Sequence, residues 1–191
     1  MKSTKAMWEA FEEILTYKLT ESVDRYIAKF GINCTDNDGS TLLHVMVIYG
    51  TPELVRHTIK RGANLNVIDS NGNTPLSLAC TSHFVENAFT LLDAGAKVNL
   101  GRGKYPIIQA IHAYDKTRST ALIEALLKHG ASLSLKSGLT GVTAPGYAKH
   151  WNFEKVIQLF DLHTADLERQ KLSSVMTHKM EAETSCRRMK I

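Results

Sequence analysis

Apolar residues near the start of the chain fall on two helical stripes. Met7, Trp8, Phe11, Ile14 and Leu15 recur at helical spacing, and Val23, Ile27 and Phe30 do so again before Gly31. This spacing predicts two amphipathic helices, the second ending at that glycine. Beyond it the pattern repeats on a longer scale. Asp36, Gly39, Thr41, Leu43, Gly62, Ala63 and Asn66 return as Asp69, Gly72, Thr74, Leu76, Gly95, Ala96 and Asn99, an interval of 33 residues each time. A fixed period of this size marks a stacked repeat, in which no unit buries its apolar face without a neighbour.

Two further units follow once small insertions are allowed. Tyr105-Pro106-Ile107-Ile108-Gln109-Ala110 stands where Thr74-Pro75-Leu76-Ser77-Leu78-Ala79 stands, and Gly130-Ala131 answers Gly95-Ala96. Thr74 to Gly95 is 21 positions and Tyr105 to Gly130 is 25, so about four residues are inserted between the two helices of the third unit, near Tyr114 to Arg118. A fourth unit starts at Gly141-Val142-Thr143-Ala144 and runs to Phe160. Gly31, Gly62, Gly95 and Gly130 each sit where a helix must end in a left-handed conformation. Pro75 and Pro106 sit at helix starts, where a missing N–H costs nothing. Met46, Ala79, Ala110 and Ala148 occupy one equivalent position, and the three alanines let helices of adjacent units approach closely.

The unit Asp-x-x-Gly-x-Thr-(Pro)-Leu, helical stretch, Gly-Ala-x-Leu/Val-Asn closely resembles the ankyrin repeat. Asn73-Thr74-Pro75-Leu76-Ser77-Leu78-Ala79 and Arg61-Gly62-Ala63-Asn64-Leu65-Asn66 carry the resemblance most clearly. It implies an all-α ankyrin-repeat solenoid of stacked helix–turn–helix units joined by hairpin loops. Residues 1–31 are then an N-terminal capping helix pair, and 32–163 are the repeats (about 36–68, 69–99, 100–135 and 136–163). Residues 164–191 form a C-terminal helix with a frayed or disordered tail. The family's Thr and His bond around the helix start. Only the first unit keeps both, as Thr41 and His44; the second has Ser77, and the third has Tyr105 and Ile108.

Composition narrows the function classes. The 191 residues are 43% hydrophobic and 22% charged, with a net charge of +4, as expected of an ordinary folded domain. Bases alternate with acids, so no nucleic-acid-binding stripe is present. Three dispersed cysteines suggest neither a disulfide framework nor a zinc site, and a reducing cytosol is the expected compartment. Glu9, Glu12 and Glu13 interrupt any signal-peptide core, and no apolar run is long enough to span a membrane. None of the eight histidines falls in an HExxH motif or an i, i+4 pair. No catalytic, cofactor-binding or metal residue is therefore assigned. Gly101-Arg102-Gly103-Lys104 lacks the P-loop spacing and reads as a hairpin turn. Cys80 reads as a small apolar filler within a helix.

The resemblance places function on the first helices and hairpin tips, which in this family line a concave groove that binds another protein. Carried over unit by unit, the contact positions are Asn37, Asp38, Ser40, Ile48 and Tyr49, then Ser70, Asn71, Asn73, Thr81 and Ser82. The third unit adds Arg102, Lys104, His112, Ala113 and Tyr114, and the fourth adds Leu139, Val142, His150 and Trp151. Exposed Tyr, Trp and Arg most often anchor interfaces, which favours Tyr49, Tyr114, Trp151 and Arg102. Packing within the terminal unit is an equal alternative for Trp151. The implied role is a stoichiometric binder, inhibitor or adaptor, an immunity protein against a cognate toxin being one version. Alternatives are a bacterial or viral effector whose repeats target a host protein, and a structural subunit of an assembly. No small-molecule substrate, nucleic acid or membrane is an expected partner.

Overall fold

The computed structural model describes residues 4–81 and 85–188, with side chains described from 5 to 178 within those spans. Ser82 and His83, and residues 189–191 of the expected frayed tail, lie outside them. Ten helices are present among the described residues: α1 (Thr4–Tyr17), α2 (Thr20–Phe30), α3 (Leu42–Tyr49), α4 (Pro52–Lys60), α5 (Pro75–Thr81), α6 (Val85–Asp93), α7 (Pro106–Thr117), α8 (Ala121–Lys128), α9 (Ala144–His150) and α10 (Glu154–Arg188). Extended pairing among them amounts to two isolated bridges, Thr35 with Thr41 and Lys136 with Thr143. The chain is an all-α ankyrin-type stack. It divides into two compact units, Met1–Tyr147 and Ala148–Ile191.

Within the first unit the helices form two layers. α1, α3, α5 and α7 pack in succession, as do α2, α4, α6 and α8. Met7, Phe11 and Ile14 of α1 and Val23, Tyr26 and Phe30 of α2 are buried, with Phe11 stacked on Tyr26 at 4.9 Å. Trp8 lies on the expected apolar stripe but is 47% exposed, touching Phe11 edge-on at 5.6 Å. Asp24 on α2 joins His57 (2.9 Å) and Arg61 (3.1 Å) at α4, tying the helix pair to the first repeat. His57 pulls the Asp24 carboxyl below its ordinary range.

The repeated residues act where their chemistry requires. Gly31, Gly62, Gly95 and Gly130 follow α2, α4, α6 and α8 with φ of 94°, 90°, 85° and 82°, a conformation that costs glycine little. Thr41 and His44 form a capping box on α3: the Thr41 N–H donates to His44 Nδ1 at 3.1 Å. In α5, Ser77 replaces the histidine. Thr74 N–H donates to Ser77 Oγ (2.9 Å), and Ser77 N–H donates to Thr74 Oγ1 (3.1 Å). Asparagines spaced by 33 residues stitch successive units. Asn33, Asn66 and Asn99 accept from the N–H groups of Asn64 (2.8 Å), Lys97 (2.9 Å) and Ser132 (2.8 Å).

Ala79 and Ala110 are buried at their inter-helix positions, and so is Met46. The insertion of the third unit takes a different form from a loop between helices. It lengthens α7 to 12 residues, against eight in α3 and seven in α5. Arg118, at φ 52°, closes the helix.

In the second unit, Asn152 (φ 53°) turns the chain between α9 and α10. The Asn152 and Phe153 N–H groups donate to the carbonyls of Lys149 and Ala148. α10 is 35 residues long and continues to Arg188, past Glu181 where the sequence periodicity ends. No helix among the described residues is long and apolar enough to cross a membrane.

Candidate functional site: the hairpin edge and first-helix face

The first two hairpins each close on an aspartate at their first position. The Asp36 carboxylate accepts from the N–H groups of Asp38 (2.9 Å) and Ser40 (2.8 Å). Asp69 does the same for Asn73, through the backbone N–H at 2.8 Å and the side-chain amide at 2.9 Å. The third hairpin has no aspartate and relies on glycine. Gly101 and Gly103 both have positive φ, and a Cβ on Gly103 would lie 2.3 Å from the Gly138 backbone.

Successive tips are bonded to one another. Ser70 N–H donates to the Asp38 carbonyl (2.8 Å), Arg102 N–H to Gly72 (3.0 Å) and Gly138 N–H to Gly103 (3.0 Å). Four loops thus form one continuous edge, in which one backbone hydrogen bond ties each tip to the next. Asn37, Asp38, Ser70, Asn71 and Arg102 project from it into solvent, while Ser40, Asn73, Lys104 and Val142 are half-buried. Leu139 at the fourth tip is 86% exposed.

The first helices add a second row. Tyr49 ends α3 and is 56% exposed. Thr81 ends α5 with its side chain exposed and its hydroxyl donating to the Leu78 carbonyl (2.8 Å). Ile48 and Ala113 are half-buried. His112 on α7 is exposed on one side and meets the Tyr147 ring edge-on at 4.8 Å, where burial lowers its pKa.

Tyr114 departs from the expected set. It is only 4% exposed, because the longer α7 carries the core stripe Ile107, Ile111 onward to Tyr114 at helical spacing. It cannot serve as an exposed anchor. In the second unit His150 and Trp151 lie 6.2 Å apart, with Trp151 40% exposed and 5.6 Å from Phe153. The expected contact positions therefore do not form a single described surface. Those of the first unit share the hairpin edge and first helices, while His150 and Trp151 belong to the second.

Lys136, at the base of the fourth hairpin, is an exposed cation that repeat alignment did not single out. Its signal was its place one residue before the Ser137 turn. Cys80 is fully buried in α5, and burial raises its thiol pKa well above the ordinary range. No cluster of three or more His, Cys, Asp or Glu placed to hold a metal occurs among the described residues.

A family model described as ankyrin repeats, in three copies, matches residues 12–102. Residues 12–102 are built of ankyrin repeats. An ankyrin repeat protein of fowlpox virus (strain NVSL) is 44% identical over 57 residues, covering 30% of this chain and 30% of the relative. The B-cell lymphoma 3 protein homolog of Mus musculus is 28% identical over 144 residues, 74% of this chain and 32% of that protein. The NF-kappa-B inhibitor alpha of Gallus gallus is 43% identical over 49 residues, 26% of this chain and 15% of that protein. The ankyrin array thus spans a third or less of the length of these relatives. Ankyrin repeats are protein–protein interaction modules, and that much of the function follows from the family.

Proposed function

We propose that the chain is a stoichiometric protein binder, acting as an inhibitor or adaptor through the hairpin edge and first-helix face of its first unit. The observation that carries this reading is the rigid, solvent-facing row of hairpin tips, each bonded to the next, beside exposed Tyr49 and Arg102. A surface ordered before binding loses little conformational entropy when a partner docks. The similarity to an inhibitor protein of chicken supports the inhibitor version, in which binding alone blocks a partner. The fowlpox virus relative supports the alternative of an effector aimed at a host protein. An immunity role is a third version of the same stoichiometric chemistry. A reducing cytosol is the compartment this reading assumes.

The test is capture of the partner from the native organism, followed by calorimetric titration. Interface anchors commonly cost about 2 kcal/mol or more when truncated, roughly thirtyfold in affinity. Tyr49→Ala combined with Arg102→Ala is expected to lose at least that much while the fold is retained. Glu53→Ala with Glu86→Ala, exposed on the second-layer helices α4 and α6, is the matched control and should bind as wild type. Equal losses in both variants would place the binding surface elsewhere.

A further inference from the structure

The charges of the hairpin edge are segregated, and they form no ion pair among the described residues. The first hairpin carries Asp36 and exposed Asp38, the second carries buried Asp69 beneath neutral, exposed Ser70 and Asn71, and the third and fourth present Arg102, Lys104 and Lys136. Among the described residues, ion pairs form elsewhere. They are Lys5–Glu9, Arg25–Glu13, Arg56–Glu53, Asp24 with His57 and Arg61, Arg118–Asp115 and Arg169–Asp166. Some of the helix charges are thus neutralised locally, whereas the six on the hairpin edge make no ion pair among the described residues. The exposed tips run from an acidic end through neutral Ser70 and Asn71 to a basic end, on a backbone tied by the tip-to-tip hydrogen bonds.

We propose that this edge recognises an extended segment of a partner protein with basic residues at one end and acidic residues at the other, the basic end lying on the first hairpin and the acidic end on the third and fourth. The inference rests on the protein-binding reading above and specifies the partner's chemistry and direction. Helices of successive repeats within a layer pack about 8–10 Å apart, so the first and third tips are separated by about 16–20 Å. At about 3.3 Å per extended residue, that distance sets the opposite charges of the partner about five or six residues apart. A nucleic acid fits poorly, because its phosphates would meet the carboxylates of the first hairpin, and a single-sign stripe is what such ligands require. Complementary charge mainly sets orientation and association rate, and reversed charge is penalised strongly.

The probe is a displayed library of random peptides of about 16 residues, long enough at about 3.3 Å each to run past all four tips. It is panned against the full chain and against a charge-reversed variant, Asp38→Lys with Arg102→Glu and Lys104→Glu, whose fold is checked by circular dichroism. A second variant, Lys60→Glu at an exposed position of α4, lowers the net charge by the same amount as the reversal and controls for it. The wild type and the control are expected to enrich peptides with basic and acidic groups five or six positions apart. The charge-reversed form should enrich the opposite polarity and bind the wild-type peptides at least about tenfold more weakly. Peptides that bind all three forms equally, or that lack charge patterning, overturn the proposal and leave the protein-binding reading standing. Failure to enrich any peptide overturns the proposal's extended segment, and the captured partner's titration then judges the protein-binding reading separately. A random-sequence oligonucleotide that displaces the selected peptides from the wild type would overturn the choice of a polypeptide partner.

Discussion

Asn87 closes the end of a helix that belongs to the preceding repeat. The last carbonyls of any α-helix lack an intrahelical donor. In α3 the Met46 carbonyl is taken by the Gly50 N–H at 2.8 Å. The Val47 carbonyl, and that of Gly50 just beyond, are taken by Nδ2 of Asn87 on α6, at 3.2 and 3.1 Å. Asn87 is wholly buried, and its Oδ1 has no partner among the described residues. Asn87→Ala would leave two buried carbonyls without donors, at about 1–3 kcal/mol each, while removing one unsatisfied oxygen of similar cost. The net expectation is a loss of about 1–3 kcal/mol. For a chain of this size each kcal/mol shifts the melting temperature by about 2–4 °C, so a fall of about 2–12 °C should be seen. Asn87→Asp should be worse at neutral pH, because it sets a buried carboxylate against two carbonyl oxygens. Thermal and urea unfolding followed by far-UV circular dichroism provides the measurement. An alanine variant as stable as wild type, or an aspartate variant more stable than the alanine one, would refute the reasoning.

Three further outcomes follow from the packing. Ala110→Leu should destabilise by about 1–3 kcal/mol, since the site is buried and added volume forces strain; an unchanged melting temperature would mean that α7 packs in another register. Gly103→Ala should cost more than the roughly 1 kcal/mol of an ordinary glycine replacement, because its Cβ would meet the Gly138 backbone at 2.3 Å and its φ is +76°; wild-type stability would show that these two tips are not in contact. Burial holds the His44 imidazole below the ordinary value of 6.5, although Asp69 and the carbonyls of Asn73 and Val67 partly offset this. The folded state therefore disfavours protonation, and His44 contributes stability above about pH 6.5 that is lost as pH falls. His112, whose pKa burial also lowers, adds to the same trend. His44→Ser, which copies the Ser77 cap of the next repeat, should reduce the acid-induced drop in melting temperature; an unaltered pH profile would contradict this assignment.

Much of the fold was legible because the repeat is written in residues with few conformational options. A glycine at the end of a helix, a proline at its start and a Thr–His or Thr–Ser pair around the first turn each answer a local backbone requirement. Such requirements can be read without knowing what lies across the interface. The misplacements share a different cause. Trp8 and Leu15 lie on the same helical stripe as Met7 and Phe11, yet Trp8 faces solvent. Which edge of a stripe is covered depends on where α2 and α3 lie. Tyr114 was expected at an exposed insertion, but the inserted residues continued the helix and carried the buried stripe with them. Asn87 and Asn33 drew no notice because their partners are backbone atoms some thirty to forty residues away. At the candidate site, the exposed tips followed from repeat alignment. The segregation of charge along them became visible only when the ion pairs of the helices were known.

The central claim is that a partner protein docks on the hairpin edge and first-helix face. Hydrogen–deuterium exchange of the chain, free and saturated with its captured partner, tests this most directly. The account predicts slowed exchange in the hairpin segments 36–40, 69–73 and 100–104 and at the ends of α3 and α5, with α4, α6 and α8 unchanged. Protection confined to α4, α6 and α8, with the hairpins exchanging as in the free chain, would contradict it.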